Sequence, residues 1–299
     1  MVSSPEADPN GLMVCLQIDP SLLASSVIPF MMNFIYYDPV TPIMNGTRNP
    51  NTLSTVHRAF TVLDALRELE GARVTELAEH MDLAPSTVHK HLATLESERF
   101  VIKEGDEYHV GLGFLDLGTY AKFRKKGYRL CTRKVSEIAE ETGERAQFVV
   151  EEHGLGIYLD TEASDANAVM IDRRDGVHRH LHSTAAGKAI LAEFPSGRVD
   201  AILSHHGLPS ETRRTITERS ELHEELEDVR ERGIAFNDEE SVEGLRAVGV
   251  PVFGPDGMIL GAFSVSGPSN RLKGDLFREE IPDLLLGHTN EIELNLRYS

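Results

Sequence analysis

Short polar and cationic side chains recur at helical spacing in PSTVHKHLATLE, residues 85–96. In a helix of about 3.6 residues per turn, Val88, Leu92 and Leu95 share one face, which leaves hydroxyl, imidazole and ammonium groups on the other. Such groups exchange hydrogen bonds with base edges when a recognition helix enters the DNA major groove. The predicted DNA-contacting residues are Ser86, Thr87, His89, Lys90 and Thr94, with Lys103 from a neighbouring strand.

A surface helix of an unrelated helical bundle would show the same spacing, so the flanking elements decide between the two interpretations. Before this segment, Val56, Phe60 and Leu63 recur at i, i+4 and i+7 and predict an amphipathic helix. Thr75 offers a hydroxyl N-cap to a second, short helix. Pro85 suits the first position of the third helix, because its missing N–H would be unpaired there in any case.

Two β-rich runs follow the third helix, at residues 100–103 and 108–110, and the turn at 104–107 joins them. This pattern predicts a β-hairpin. A hairpin directly after two short helices is typical of a winged helix-turn-helix. It therefore favours DNA recognition over the helical bundle.

The charge balance opposes nucleic-acid binding. The chain carries 48 acidic and 30 basic residues, a formal net charge of −18, and residues 52–115 carry 11 acidic against 6 basic residues, a net of −5. A dispersed acid excess suits a cytoplasm at very high salt, where the Debye length falls to about 3 Å at 1 M. We therefore expect a halophilic protein, with an ordinary acidic mesophilic protein as the alternative. In the halophilic case DNA binding should weaken less steeply with salt than binding by a basic repressor does.

Histidines that alternate along a predicted strand form a second candidate site. His178, His180 and His182 would point to one face, and residues 205–206 follow later. This spacing could hold a metal ion. No acidic or cysteine residue completes a recognisable ligand set, and exposed histidines are the alternative interpretation. A metal-dependent hydrolase that uses this face is the second function hypothesis.

Other catalytic signatures are missing from the sequence. It contains no G-x-S-x-G nucleophile motif and no glycine-rich phosphate loop. The carboxylate pair at residues 239–240 is expected to be solvated or to cap a helix. Two cysteines, Cys15 and Cys131, are too few for a disulfide framework or a cysteine zinc cluster. We expect no enzymatic activity and no cofactor.

Residues 1–48 follow no folded pattern. The run between Asp19 and Asp38 is uncharged and about as long as a membrane span, but prolines, an asparagine and serines interrupt it and no Lys or Arg flanks it before Arg48. We expect either a disordered extension or an untranslated leader with the true start at Met44. Since no secretory signal is recognisable, we expect a cytoplasmic protein that does not contact a membrane.

Beyond residue 111 the pattern predicts a linker helix and then alternating strands and helices. The linker helix covers residues 112–130 and carries the basic patch Lys122, Arg124, Lys125 and Lys126. Strands are predicted at residues 147–151, 156–161, 168–172, 248–253 and 258–266, and helices at residues 185–193, 218–232 and 281–296.

The chain resembles the IclR family of bacterial and archaeal regulators from about Thr52 to its C-terminus. Residues 85–96 resemble the family's recognition helix, with Lys90 at a usual arginine and His91 at a usual leucine. HSTAAGKAILA, residues 182–192, resembles the signature H-x-T-x-x-G-K-x-x-L-A. Residues 232–272, which begin RGIAFNDEESVEGLRAVGVPVFG, resemble the C-terminal signature.

The resemblance implies an α+β chain in which an N-terminal winged helix-turn-helix and a linker helix precede a GAF-like α/β effector-binding domain. That domain would contain a six-stranded antiparallel sheet and bind a small carboxylate or a sugar-derived metabolite. Carried over by motif, the effector-binding residues are Ala185, Ala186, Asn237, Ala247, Ser264 and Ser266. Relatives that bind small keto acids have an acidic residue at position 237 and a cysteine at position 247, so the motif leaves the ligand open.

Each of these residues also has a simpler interpretation. Ser264 and Ser266 could be strand residues on a solvated face, and Ala185 and Ala186 could be small residues that allow close packing. Lys188 either neutralises an anion or is a solvated helix lysine.

The sequence thus predicts an N-terminal extension at residues 1–48, a DNA-binding domain at 52–113, a linker helix at 114–130 and an effector-binding domain at 131–299. The resemblance further implies a homodimer formed through the N-terminal domains and the linker helix, or a dimer of dimers, bound to a double-stranded DNA operator. A small-molecule effector would act by binding two arrangements of the recognition helices with different affinity.

Overall fold

The computed structural model describes residues 51–163 and 175–298. The predicted extension at residues 1–48, including Cys15, and the strand predicted at residues 168–172 lie outside the described residues. Within the described ranges, no helix has both the length and the apolar character needed to cross a membrane.

Three helices and a hairpin form the N-terminal part of the described chain. The helices are α1 (Ser54–Glu68), α2 (Val74–His80) and α3 (Pro85–Ser97). Their shared core contains the predicted inward residues of α3, and its larger members are Val62, Leu63, Leu66, Leu77, Val88, Leu92, Leu95, Val101 and Tyr108.

Only part of the predicted apolar face of α1 is buried: Leu63 lies in the core, as predicted. Val62 and Leu66 are fully buried, whereas Val56 and Phe60 are 50% and 59% exposed. The buried residues of α1 all lie in its C-terminal half, because the rest of the N-terminal core packs there. The apolar stripe of α1 therefore extends past the core, and its N-terminal part is exposed to solvent.

The start of α2 also corrects the prediction. Its N-cap is Arg73, and Thr75 lies inside the first turn. The backbone N–H of Arg73 donates to Oε2 of Glu76 at 2.7 Å, so a carboxylate three residues into the helix pairs with the cap residue. Pro85, by contrast, occupies the first turn of α3 as predicted.

The predicted hairpin is confirmed. Strand β1 (Val101–Glu104) pairs antiparallel with β2 (Glu107–Val110). The turn between them contains Gly105 at a φ of +62°, a conformation that glycine adopts without a Cβ penalty. Ala72 and Tyr108 exchange two backbone hydrogen bonds of 2.8 and 3.1 Å, which attach the hairpin to the segment between α1 and α2. These elements form a winged helix-turn-helix.

The predicted linker helix is two helices. Helix α4 (Gly113–Phe123) ends before Arg124, and Lys125 is the extended N-cap of α5 (Lys126–Thr142). Within the basic patch, Nζ of Lys122 lies 2.5 Å from Asp160 and 2.7 Å from Asp175. These ion pairs connect the end of α4 to the following part of the chain, and the extended backbone of Lys125 separates α4 from α5.

A six-stranded antiparallel sheet forms the centre of the C-terminal part. Its strands are β3 (Arg145–Glu152), β4 (Leu155–Ala163), β5 (His178–His180), β6 (Ala235–Asp238), β7 (Leu245–Phe253) and β8 (Ile259–Pro268), in the spatial order β5-β4-β3-β8-β7-β6. The α+β fold that the resemblance implied is confirmed, whereas no sequence pattern had predicted β6.

Helices cover both faces of this sheet. On one face α5, a π-helical turn (Leu276–Glu280) and α9 (Ile281–Arg297) pack against Phe148 and Val150. On the other face α6 (Ala185–Ala192), α7 (Ser196–His206) and α8 (Arg219–Arg232) pack against Val149. Helix α8 ends, as predicted, at Gly233 with a φ of +70°, while α7 was not predicted.

Helix α6 begins in backbone contact with the sheet. A Cβ atom added to Gly249 of β7 would lie 2.5 Å from the carbonyl carbon of Ala185 and 2.7 Å from the nitrogen of Ala186. A Cβ atom on Gly187 would lie 2.1 Å from the carbonyl oxygen of Leu181. Both glycines are therefore required for this close approach.

Replacing Gly249 with Ala tests that contact. We expect a loss of about 1–3 kcal/mol in the free energy of unfolding, because a backbone segment cannot move aside as a flexible side chain can. Denaturant unfolding of the purified chain measures it. The matched control is Gly287→Ala in α9, where an added Cβ meets nothing within 4 Å and helix propensity predicts a gain of up to about 1 kcal/mol. Equal stability of the two variants would contradict the close approach.

Candidate DNA-reading helix and effector pocket

Helix α3 presents its polar residues to solvent. Ser86, His89, Lys90 and Thr94 are exposed, and Thr87 is half-buried. The hydroxyl of Thr94 donates to the carbonyl of Lys90 at 3.0 Å, which leaves its oxygen as an acceptor. The first two turns of the helix thus offer donors and acceptors above a fully buried apolar face.

Lys103 lies on β1 of the wing, apart from α3. It is exposed, and its Nζ atom lies 5.4 Å from the ring centre of Tyr108. A lysine on the wing can contact a DNA phosphate, but it does not enter the major groove where α3 would lie.

All six predicted effector residues are buried and lie where α6 meets the sheet. Asn237, Ala247 and Ser266 are cross-strand neighbours on β6, β7 and β8. One step along the strands, Ser264 pairs with Gly249, which the start of α6 covers. The interpretation of the serines as residues on a solvated face is therefore wrong, because α6 covers that face.

Gln147 belongs to the same site and was missed in the sequence. It pairs with Ser264 across β3 and β8, and its Nε2 donates to Oγ of Ser266 at 2.8 Å. The available signal was a polar residue inside the apolar strand run AQFVV. A buried amide that bonds a serine hydroxyl fixes the direction of that hydroxyl.

Asn237 acts as a bridge. Its Nδ2 donates to the carbonyl of Ser183 at 2.9 Å and to Oγ of Ser241 at 2.8 Å, and its Oδ1 accepts from the backbone N–H of Glu240 at 2.9 Å. These bonds join β6 to the segment that leads into α6. An uncharged amide can make all three bonds at once, which a carboxylate at this position could not.

Lys188 corrects both interpretations of that residue. It is 1% exposed, and its Nζ donates to the two carboxylate oxygens of Glu240 at 2.7 and 2.9 Å. Burial raises the pKa of Glu240, while the charge of Lys188 opposes the rise. Lys188 is thus neither solvated nor free to bind an anion, and Glu240 is not half of a solvated carboxylate pair.

The histidine face does not form a metal site. His178 is exposed, His180 is half-buried, and His182 is fully buried beyond the end of β5, where its Nε2 lies 3.1 Å from the carbonyl of Pro209. Across residues 51–163 and 175–298, no three His, Cys, Asp or Glu side chains are placed to hold a metal ion. The metal-dependent hydrolase hypothesis has no support.

His182 predicts a pH dependence of stability. Burial lowers its pKa from 6.5 to about 4. Between these two pH values, His182 is protonated in the unfolded chain and neutral in the native chain. The free energy of unfolding should therefore fall by roughly 3 kcal/mol between pH 7 and pH 4 through this residue alone.

Chemical unfolding of the wild type and of His182→Gln across that range measures the effect. The variant should lose this part of the pH dependence, whereas His205→Gln, at an exposed position, should keep it. The same slope in His182→Gln and the wild type would show that folding does not lower the pKa of His182.

Comparison with known proteins places this geometry in a family. The IclR helix-turn-helix domain matches residues 55–105, and the bacterial transcriptional regulator IclR C-terminal domain matches residues 128–292. The "Probable HTH-type transcriptional regulator ArcR" of Halobacterium salinarum is 34% identical over 251 residues, which cover 83% of this chain and 95% of that protein. KdgR, an HTH-type transcriptional regulator of Escherichia coli, is 30% identical over 78% of this chain and 89% of its own length.

Solved structures agree with the sequence comparison. The crystal structure of the Thermotoga maritima IclR matches with a TM-score of 0.69 at 29% identity, over 83% of this chain and 100% of that one. Both parts of the described chain are thus accounted for by one architecture, a helix-turn-helix domain followed by an effector-binding domain. The chain belongs to the IclR family of transcriptional regulators.

Proposed function

We propose that this regulator binds a double-stranded DNA operator through the first two turns of α3. The observation that carries the proposal is the division of α3 into a buried apolar face and an exposed face of short donors and acceptors. Ser86, Thr87, His89 and Lys90 would meet base edges, with Thr94 further along the helix. Lys103 of the wing would contact a phosphate and help to set the register.

The acid excess shapes how this binding is driven. At high salt the release of counterions from DNA contributes little to affinity, so hydrogen bonds and groove shape must contribute most of it. A halophilic cytoplasm would reconcile the net charge of −18 with DNA binding. The relative from Halobacterium salinarum supports this setting.

Exposed apolar side chains support a homodimer. Leu53, Val56 and Phe60 at the start of α1 and Leu115 and Tyr120 on α4 are each at least half exposed. Apolar residues concentrated on two elements of one small domain are typical of a protein–protein interface. A second copy that covers them would place two recognition helices on successive half-sites, about one helical turn apart.

We propose that a small organic acid binds between the start of α6 and the serines of β8. The free N–H groups in the first turn of a helix attract a carboxylate, and Thr184 already caps the N–H of Gly187 at 3.1 Å. Ala185 and Ala186 would then present the remaining N–H groups. Ser264 and Ser266 would bond polar atoms of the ligand, and Asn237 and Ala247 would set the width of the pocket.

The two parts of the chain are joined by a specific contact that supports regulation. Lys122, near the end of α4, bonds Asp160 of β4 and Asp175 just before β5. A ligand that moves these strands would also move α4, which leads directly from the wing. Regulation requires that the ligand bind the two arrangements of the protein with different affinity.

Lys90→Ala tests the DNA interface. We expect the operator affinity to fall roughly tenfold or more, since loss of a base or phosphate contact costs about 1–3 kcal/mol. Fluorescence anisotropy in molar KCl measures it, with a DNA fragment that the wild-type protein selects from a random pool. The control is Lys273→Ala, which removes an exposed lysine after β8. If Lys90→Ala binds as tightly as the control, α3 is not the recognition helix.

A further inference from the structure

The face of the sheet that α6 covers carries a row of polar residues that extends past the serines of β8. Gln147 of β3 pairs with Ser264 on one side and with Thr161 of β4 on the other. Cross-strand partners point to the same face of a sheet. Ser264 pairs in turn with Gly249 of β7, which lies under the start of α6. Thr161, Gln147 and Ser264, the polar row, therefore lead across the sheet to the first turn of α6.

Thr161 is the residue of the polar row that the fold alone does not explain. It is 6% exposed, and its hydroxyl forms no hydrogen bond among the described residues. A buried hydroxyl without a partner destabilises the folded chain unless a ligand or a water molecule bonds it. Valine has nearly the same shape and would fill this position without a buried polar atom. The hydroxyl of Thr161 is therefore accounted for best by a partner from outside the chain.

The amide of Gln147 has a fixed direction. Its Nε2 donates to Oγ of Ser266 at 2.8 Å and to the carbonyl of Arg145 at 3.2 Å. Both amide hydrogens are thereby used, which leaves Oε1 as an acceptor, and Ser266 keeps its own hydrogen to donate. The row thus offers donors and acceptors at fixed positions. Hydroxyl groups suit such a row, because each of them can both donate and accept a hydrogen bond.

The spacing of the strands sets the length of a ligand that uses the whole row. The three steps from Gly249 to Thr161, at about 4.8 Å per strand, amount to roughly 14 Å. Hydrogen bonds of about 2.8 Å at the two ends cover part of this distance. An extended chain of five or six carbons covers the rest. An acid of three carbons held at the start of α6 would reach Ser264 but not Thr161.

We infer that Thr161 and Gln147 bind the effector, and that the effector is an acid of about six carbons with hydroxyl groups along its chain. The inference rests on the proposed effector function, in which the carboxylate meets the start of α6. Hydroxyl groups near the carboxylate would bond Ser264 and Ser266, the next one Gln147, and the distal one Thr161. An acid with a bare hydrocarbon chain would leave these buried groups without partners, which lowers its affinity.

Two six-carbon acids that differ in their hydroxyl groups test the polar row. Isothermal titration calorimetry of the full chain in molar KCl compares gluconate with hexanoate. The wild type should bind gluconate roughly tenfold tighter or more, the ratio that corresponds to about 1.4 kcal/mol. Glycerate, a hydroxylated acid of three carbons, serves as the short probe.

Thr161→Val should change binding and stability in opposite directions. We expect gluconate affinity to fall roughly fivefold, the ratio expected for one net hydrogen bond, and the affinities for hexanoate and glycerate to stay unchanged. The midpoint of denaturant unfolding without ligand should rise, because a buried hydroxyl without a partner is removed. Thr161→Ser keeps the hydroxyl and should keep the preference for gluconate.

Thr289→Val is the matched control. Thr289 lies on α9, on the opposite face of the sheet, and its hydroxyl is likewise buried without a hydrogen-bond partner. Its replacement should raise the unfolding midpoint and leave all three affinities unchanged. Wild-type gluconate affinity in Thr161→Val would overturn the inference. An equal loss for hexanoate, or an equal loss in Thr161→Ser, would overturn it as well, because the effect would then be one of packing.

Ser266→Ala separates this inference from the proposed function. If gluconate and hexanoate bind the wild type equally and Ser266→Ala weakens gluconate, the proposed pocket stands and the role of the polar row is overturned. If none of the three acids binds the wild type, both are overturned.

Discussion

The contact between the start of α6 and the sheet is the constraint on which the proposed effector pocket depends. Gly187 lies against the backbone at Leu181, and Gly249 lies under the backbone of Ala185. Because these two residues have no side chain, the backbone at the start of α6 can pack directly against the backbone of the sheet. This brings the N–H groups of the helix next to the serines of β8, and without it the pocket would lose its polar end.

A buried ion pair maintains that contact from the other end of the first turn. Lys188 and Glu240 are both buried, and Thr215 donates to the carbonyl of Glu240 at 2.6 Å. Two buried charges cost desolvation energy, so the pair is poor evidence for stability, but removing one partner would strand the other. The ion pair fixes the position of α6 relative to the segment after β6, and Asn237 is hydrogen-bonded to the same segment. The predicted effector residues are therefore held in place by polar contacts with defined directions.

Local patterns predicted most of the helices and strands, but they did not predict how the residues of the candidate site contact one another. The apolar face of α3, the wing and most strands follow from spacing that reports burial on one side. Val56 and Phe60 show the limit of this approach, because an exposed apolar stripe on a helix has the same spacing as a stripe that faces the core. Lys188 shows another, since its burial depends on Glu240, 52 residues later. Gln147 and Ser264 become neighbours only through strand pairing, which no local signal encodes.

The central claim is that an acidic chain reads DNA with α3 and responds to an acid bound beneath α6. A nuclease footprint on the DNA upstream of its own gene, in molar KCl with and without gluconate or glucarate, tests this most directly. The account predicts protection of two half-sites about one helical turn apart and a change in that protection when an acid is added. No protected site, or protection that the acids leave unchanged, would contradict it.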